Sequence, residues 1–344
     1  MMNTDISNKK VLFLCTDFFS YYQIIIEELE KMGAKVKYIP IPRFPESHRN
    51  LAHSKSYLFF YHYLKNPLYR TRWTNSLIER IKDEDYDYLL CIGDVPFKSF
   101  FLDRLKEMNP KIKTCLFLWD KFSIVYVPPK VIEKFDRKFS FDRDDSKKVN
   151  GLQYLPDFYI EGAKNTNCKE KYDLCIIATY IGSRAKTTSL IKELCESNGL
   201  KVYTHLLLPE TEDKSKFPWY FFKNKKAKQV EIQEYEKEGI LKRYRLSSDE
   251  VDDIQSQSRA ILDFSYRGRQ GLTLNAVSAL AKGKKLITSN FRIKEESFYT
   301  PNNIYIYDFD NPQFDIDFFN IPLEPMDMSY LRIDNWLKYI ICDE

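Results

Sequence analysis

The 344-residue sequence predicts an α/β protein made of two doubly wound parallel-sheet units. Three observations carry this expectation. Short apolar runs recur at strand length, stretches of helical period alternate with them, and the alternation pauses over a polar segment at 157–172 before it restarts.

The first unit opens with Lys9-Lys10 leading into Val11-Leu12-Phe13-Leu14-Cys15, a charged lead and an apolar run that read as a buried parallel strand. Residues 20–32 place Ile24, Ile25, Leu29 and Met32 at helical spacing, with Gly33 as the stop. Lys35–Ile39 is the next strand, closed by Pro40 and Pro42. Tyr86–Ile92 reads as a strand ending at Gly93-Asp94, Phe97–Met108 as a helix, and Lys113–Leu118 as a strand ending at Trp119-Asp120. Two short strands, Lys138–Phe141 and Leu152–Leu155, flank an Asp-rich helix start at Asp142. After the polar segment come a strand at Asp173–Ala178, a helix opened by Gly182-Ser183-Arg184 and stopped at Gly199, and a strand at Leu200–Leu207. Residues 209–245 read as irregular and heavily charged. A Ser247-to-Glu250 capping box starts a helix through Ser256. A strand at Ala260–Phe264, a helix at Thr273–Lys282 and strands at Lys285–Thr288 and Asn303–Tyr307 follow, and Met328–Ile341 reads as an amphipathic helix. The expected domains are 1–157 and 158–325, with 326–344 a C-terminal helix that has the option of packing back on the N-terminal domain.

With 53 basic and 49 acidic residues the formal charge is +4, too balanced for a protein that coats nucleic acid, and 44% hydrophobic content is enough for packed cores. Seven cysteines form no CxxC pair, and four of them (Cys15, Cys91, Cys115, Cys175) fall in strand-like runs, as small hydrophobes of a reducing compartment do. Val11–Cys15 is too short for a signal-peptide core, and the longest apolar stretch, Tyr57 to Leu64, falls well short of the ~20 residues that cross a bilayer. The expectation is a cytoplasmic protein, at most peripheral on the inner membrane. The segment for such contact is Lys214–Lys228, where six lysines mix with Phe217, Trp219, Tyr220, Phe221 and Phe222. The competing reading is a basic loop whose aromatics pack on the domain.

In doubly wound sheets, ligands sit beyond the carboxyl ends of the strands, and with two such sheets the cleft between domains is the default site. Polar residues that follow strands are therefore the candidates. Arg267-Gly268-Arg269-Gln270-Gly271-Leu272-Thr273 is the most informative run, because glycines admit close backbone approach, the following helix N-terminus suits a phosphate, and two arginines can clamp a diphosphate. Solvated arginines on a plain connection are the alternative. Thr179, Gly182 and Arg184 occupy the matching loop after the first strand of the second unit, and a simple N-cap is their alternative. Asp94 and Asp120 end strands and are candidate general bases, against a role as caps of the following helices. No Walker A motif, metal-ligand spacing or Gly-x-Ser-x-Gly is present.

Several short stretches, in this order and spacing, resemble bacterial glycosyltransferase-like proteins of capsular polysaccharide and lipopolysaccharide biosynthesis. They are Leu118-Trp119-Asp120, Phe139-Ser140-Phe141-Asp142, Leu155-Pro156 with Phe158-Tyr159, Ile181-Gly182-Ser183-Arg184, Leu262-Asp263 through Thr273, and Gly283 through Asn290. The resemblance implies the GT-B architecture, two Rossmann-like domains facing across a cleft. It also implies a nucleotide-sugar donor held mainly by the C-terminal domain, and a saccharide or lipid-linked saccharide acceptor held mainly by the N-terminal one. No metal or cofactor is implied. Donor-binding residues would be Thr179, Gly182, Arg184, Arg267, Gln270, Gly271, Leu272, Thr273 and Lys284. The sequence departs from the family at Asn275 and Ser278, where an Arg and a Glu are usual. A non-catalytic scaffold of polysaccharide assembly and a nucleotide-sugar epimerase remain alternative readings.

Overall fold

The computed structural model describes residues 5–17, 20–41, 67–122, 127–161, 169–181, 183–208, 225–265 and 271–342, with backbone alone for 225–229. The chain divides into two compact units, Met1–Phe158 with Ser329–Glu344, and Tyr159–Met328.

The first unit holds strands β1 (Lys10–Thr16), β2 (Lys35–Ile41), β3 (Tyr88–Ile92), β4 (Lys113–Leu118), β5 (Arg137–Ser140) and β6 (Leu152–Tyr154). They form one sheet in the order β2-β1-β3-β4-β5-β6, with every pair parallel. The order reverses between β1 and β3, the signature of a doubly wound sheet. Helices α1 (Tyr21–Lys31), α2 (Pro67–Ile81), α3 (Phe100–Met108), α4 (Pro129–Ile132) and α5 (Arg143–Ser146) connect the strands. Two details differ from the sequence expectation. Strand β2 continues through Pro40 to Ile41 because it is an edge strand, where a missing N–H costs no ladder bond. Helix α2 went unread because a mixed run such as Tyr69-Arg70-Thr71-Arg72 masks the apolar face formed by Leu77 and Ile81.

The second unit holds β7 (Tyr172–Thr179), β8 (Val202–Leu207), β9 (Leu241–Lys242), β10 (Ser258–Asp263), β11 (Lys285–Thr288) and β12 (Ile304–Ile306). Their order is β12-β11-β10-β7-β8-β9, again all parallel, and here the reversal falls between β7 and β10. The helices are α6 (Arg184–Ser197), α7 (Lys225–Lys237), α8 (Ser248–Ser256) and α9 (Leu274–Ala281). Helix α7 and β9 correct the reading of 209–245 as irregular. Lys, Glu, Gln and Ala are good helix formers, only Ile232 and Tyr235 pack on the core among the described side chains of this helix, and Gly239 at φ +75° ends the turn that follows. The Ser247–Glu250 capping box forms in full.

The last helix, α10 (Ile333–Ile341), belongs to the first unit and is anchored by Trp336. This indole is fully buried, donates from Nε1 to the Pro156 carbonyl at 2.9 Å, and packs against Phe117 of β4 and Phe158 with ring centroids 4.6 and 4.9 Å away. All four cysteines expected in strands are buried there as free thiols. Among the described residues, no helix is long and apolar enough to cross a membrane.

Truncating Trp336 to Ala should cost the first unit about 3–5 kcal/mol through cavity formation. Trp336→Phe should cost less, about 1–3 kcal/mol, by stripping the Pro156 carbonyl of its donor. Chemical denaturation of the three proteins would check the ranking.

Candidate functional site

In the second unit the loops after β7 and β10 flank the reversal point, and one side chain joins them. Arg184, the first residue of α6, turns back so that Nη1 donates to the Thr179 carbonyl at 3.0 Å and Nη2 to the Phe264 carbonyl at 3.5 Å. Its guanidinium also lies 5.3 Å from the centre of the Phe264 ring. Ser183 precedes the helix but makes no side-chain cap bond, so the simple N-cap reading of this loop does not hold.

The start of α9 is fixed just as firmly. Thr273 is its N-cap, and Oγ1 accepts from the Ala276 N–H at 3.1 Å while donating to Asp263 Oδ1 at 2.7 Å. Asp263, the last residue of β10 and 5% exposed, also accepts from Thr288 at 3.3 Å and from the Asn275 amide. Burial raises its pKa above the ordinary carboxylate value, against the opposing pull of the Thr273 and Asn275 bonds and the Arg184 charge.

The turn after β11 holds the loop stem on both sides. Ser289 Oγ accepts from the Ser265 N–H and donates to the Ser265 carbonyl, both at 3.0 Å. Asn290 donates to the Gly271 carbonyl at 3.1 Å. Leu272 is buried, so any ligand contact it makes runs through its backbone.

Thr179, Arg184, Gly271, Leu272 and Thr273 thus gather at the carboxyl edge of this sheet. Lys284 does not join them. It stands at the amino end of β11, on the opposite edge, with Nζ donating to the Ser256 carbonyl at 2.6 Å. Gly182, Arg267 and Gln270 lie outside the described residues, as does Lys214–Lys228 apart from the helical backbone of 225–228. Sequence reasoning missed Asp263, Ser289 and Asn290 as parts of the site, and the available signal was a polar residue at each strand end.

In the first unit the reversal point lies between the ends of β1 and β3. Thr16 ends one strand and Asp17 follows it, and Gly93 and Asp94 follow the other. Gly93 has φ +91°, and a Cβ there would meet Trp119 Nε1 at 2.9 Å and Thr16 Oγ1 at 3.5 Å. Neither Asp94 nor Asp120 caps the helix that follows it, because α3 begins at Phe100 and α4 at Pro129. Both are half-buried at the sheet edge. Asp142 and Asp145 have structural duties. Asp142 caps α5 and pairs with Lys121 at 3.3 Å, and Asp145 accepts from the Phe122 N–H at 2.8 Å. A further acid, Asp157, is 5% exposed beyond the end of β6. Burial first, and the charge of Asp120 second, push its carboxyl well above the usual range. The sequence analysis did not single it out, since Leu155-Pro156-Asp157-Phe158 carries no spacing that marks an acid as buried.

No family model matches the chain, and no curated protein does. Solved structures do. The chain is similar to an α,α-trehalose-phosphate synthase (UDP-forming) from Burkholderia vietnamiensis, at 9% identity and a TM-score of 0.53, with 97% of this chain and 94% of that one covered. It is similar to the N-terminal domain of a Candida albicans trehalose-6-phosphate phosphatase, at 9% identity and a TM-score of 0.56, with 97% and 96% covered. It is also similar to a UDP-GlcNAc 2-epimerase from Neisseria meningitidis bound to UDP-GlcNAc, at 13% identity and a TM-score of 0.50, with 87% of each chain covered. At such identities these likenesses show the fold, which is α/β with two Rossmann-like domains of the GT-B type.

Replacing Gly93 with Ala should destabilise the first unit by about 1–3 kcal/mol, because a left-handed φ and the Trp119 contact both resist a methyl group. Changed tryptophan fluorescence should accompany the loss. In the second unit, Thr273→Val should cost about 0.5–2 kcal/mol, whereas Thr273→Ser, which keeps the hydroxyl, should cost far less. Denaturation midpoints would separate the two.

Proposed function

We propose that the protein uses a sugar nucleotide and transfers the sugar to a cell-surface saccharide of capsule or lipopolysaccharide type. The observation that carries this reading is the built loop pair at the reversal point of the second unit, where Arg184 straps both loops and the capped start of α9 stands beside them. A helix N-terminus and an arginine at the carboxyl edge suit a diphosphate. The names of the similar structures, a UDP-forming synthase and an epimerase bound to UDP-GlcNAc, support a sugar nucleotide as the ligand.

In this reading, Thr179, Gly182, Arg184, Arg267, Gln270, Gly271, Leu272 and Thr273 hold the donor. As the acceptor oxygen bonds to the anomeric carbon, the bond from that carbon to the phosphate oxygen breaks, and its electron pair leaves with the diphosphate. Charge grows on the leaving group, and positive groups fixed beforehand stabilise it without reorganising. The acceptor hydroxyl gives up its proton to a base, and Asp120 and Asp94 are the candidates. No resident cofactor is called for. The epimerase reading, supported by the Neisseria meningitidis likeness, differs in its product: a changed sugar still attached to the nucleotide, formed without an acceptor.

A thermal-shift panel of UDP-, GDP-, CMP- and dTDP-sugars tests the proposal. A true donor at about 100 times its dissociation constant should add about 2.7 kcal/mol of stability. Arg184→Ala should weaken that donor by roughly 10- to 100-fold, the range expected for a lost charge-assisted bond. Absence of any shift across the panel would end the sugar-nucleotide reading, and product analysis of a binding donor with and without saccharide would divide transferase from epimerase.

A further inference from the structure

We infer that His205 is an acid-sensitive latch, which holds the loop after β9 against the second unit while its ring is neutral and releases that loop when the ring takes up a proton. The inference stands apart from the transfer reading and needs no bound donor.

The strand places the ring. Successive residues of β8 face opposite sides of the sheet, so Leu206 joins the core while His205 takes the other face. There it is 2% exposed. Its Nε2 lies 2.9 Å from the carbonyl oxygen of Tyr244, in the loop that leaves β9. A carbonyl oxygen only accepts, so Nε2 carries the hydrogen and Nδ1 carries a bare lone pair. Nδ1 is buried and meets no hydrogen-bond partner among the described residues. A neutral imidazole of this tautomer fits the site. An imidazolium would bury a second N–H with nothing to receive it.

The groups around the ring do not remove that cost. On β7 the residue paired with His205 is Ile177. Tyr203, two residues back on the same face of β8, is a phenol that burial keeps neutral. Lys242, at the end of β9, opposes a positive charge on the ring. Glu250, in the first turn of α8, favours one, but its carboxylate already accepts from the Ser247 N–H at 2.7 Å in the capping box. Burial is the largest influence and pulls the ring below its ordinary value, with the Tyr244 bond pulling the other way.

The ring's most mobile cover is Tyr244. It stands edge-on to the imidazole, with ring centroids 5.0 Å apart and planes at 81°, yet it is itself 59% exposed. Behind it, β9 is two residues long. A proton on Nδ1 therefore reaches water more readily by lifting Tyr244 and the segment 243–247 than by parting β7 from β8, which pair over six residues. The segment leaves the carboxyl end of β9, on the same edge of the sheet as Arg184 and the start of α9.

The test compares the full-length protein with His205→Gln, whose amide N–H can reach the same carbonyl without titrating. The other histidines lie outside the described residues, so the readout is the difference between the two proteins. Above pH 6.5 or so the ring is neutral in both folded and unfolded states and contributes no pH dependence. Below that, the unfolded chain takes the proton first, and the folding equilibrium falls by up to about tenfold per pH unit until the folded ring titrates. Denaturation midpoints of wild type should therefore drop relative to His205→Gln between about pH 6.5 and 5, and keep a constant offset above that range. Hydrogen exchange on wild type alone gives a second readout should the variant not fold. The Leu208 N–H, which donates to the Lys242 carbonyl at 2.8 Å, and the capped Ser247 N–H report on β9 and its loop. After correction for intrinsic exchange, their protection should fall by up to about tenfold per pH unit over the same range and stay below that of the β7 ladder, because the loop opens without the unit unfolding. A stability difference flat with pH, protection at Leu208 and Ser247 that does not fall in acid, or protection there equal to that of β7 would each overturn the latch. Binding of sugar nucleotides, or its absence, bears on the transfer reading alone.

Discussion

Parallel pairing is the constraint from which the sites of both units follow. When every strand of a sheet runs the same way, every loop that leaves a strand is delivered to one edge and every return helix ends at the other. In the second unit the chain moves away from β7 first toward β8 and β9, then toward β10, β11 and β12. The chain thus leaves β7 and β10 toward opposite sides of the reversal point, and Arg184 links the described ends of the two loops. Its planar fork reaches two backbone carbonyls on separate loops, which the single ammonium of a lysine would do less well. Ser289, Asn290 and Asp263 secure the far side of the same reversal point.

The two units share a topology but differ in the chemistry of that edge. The first presents carboxyls at Asp17, Asp94, Asp120 and Asp157. The second presents an arginine, backbone donors at a capped helix start, and an aspartate whose lone pairs are occupied by two hydroxyls and an amide. An edge rich in carboxyls suits hydroxyl ligands and proton transfer, and one rich in donors suits a diphosphate. This difference comes from residue choice at strand ends, since the backbone plan is the same in both.

Much of the fold was legible because buried parallel strands are near-continuous apolar runs, and Lys113–Leu118 and Lys285–Thr288 were located to the residue. Helix α7 was not legible, because the charged residues around Ile232 and Tyr235 mask the short apolar face that packs on the core. The candidate site was legible only in outline. Thr179, Arg184, Gly271 and Thr273 follow strands and could be placed by rule. Lys284 could not be separated from them, although it precedes its strand and so falls on the opposite edge. The surroundings of Asp263 and Asp157 depend on residues distant in sequence, Thr288 for one and Asp120 for the other, and local pattern carries no trace of either.

Two aspartates show why burial alone does not define the surroundings of an acid. Asp263 ends β10 and Asp157 lies beyond the end of β6, both are 5% exposed, and burial raises both. Asp263 accepts from Thr273, Thr288 and Asn275 and feels the charge of Arg184, so its negative form is compensated and its task is to hold the start of α9. Asn275 in turn accepts from Gln255 at 2.9 Å, tying α8 to α9. That amide, at a position where the resembling proteins usually carry an arginine, is thereby committed to the frame. Asp157 has no such donors among the described residues, and burial together with the charge of Asp120 favours its neutral form. Equal exposure with opposite partner sets makes Asp263 part of the frame and leaves Asp157 beside another acid.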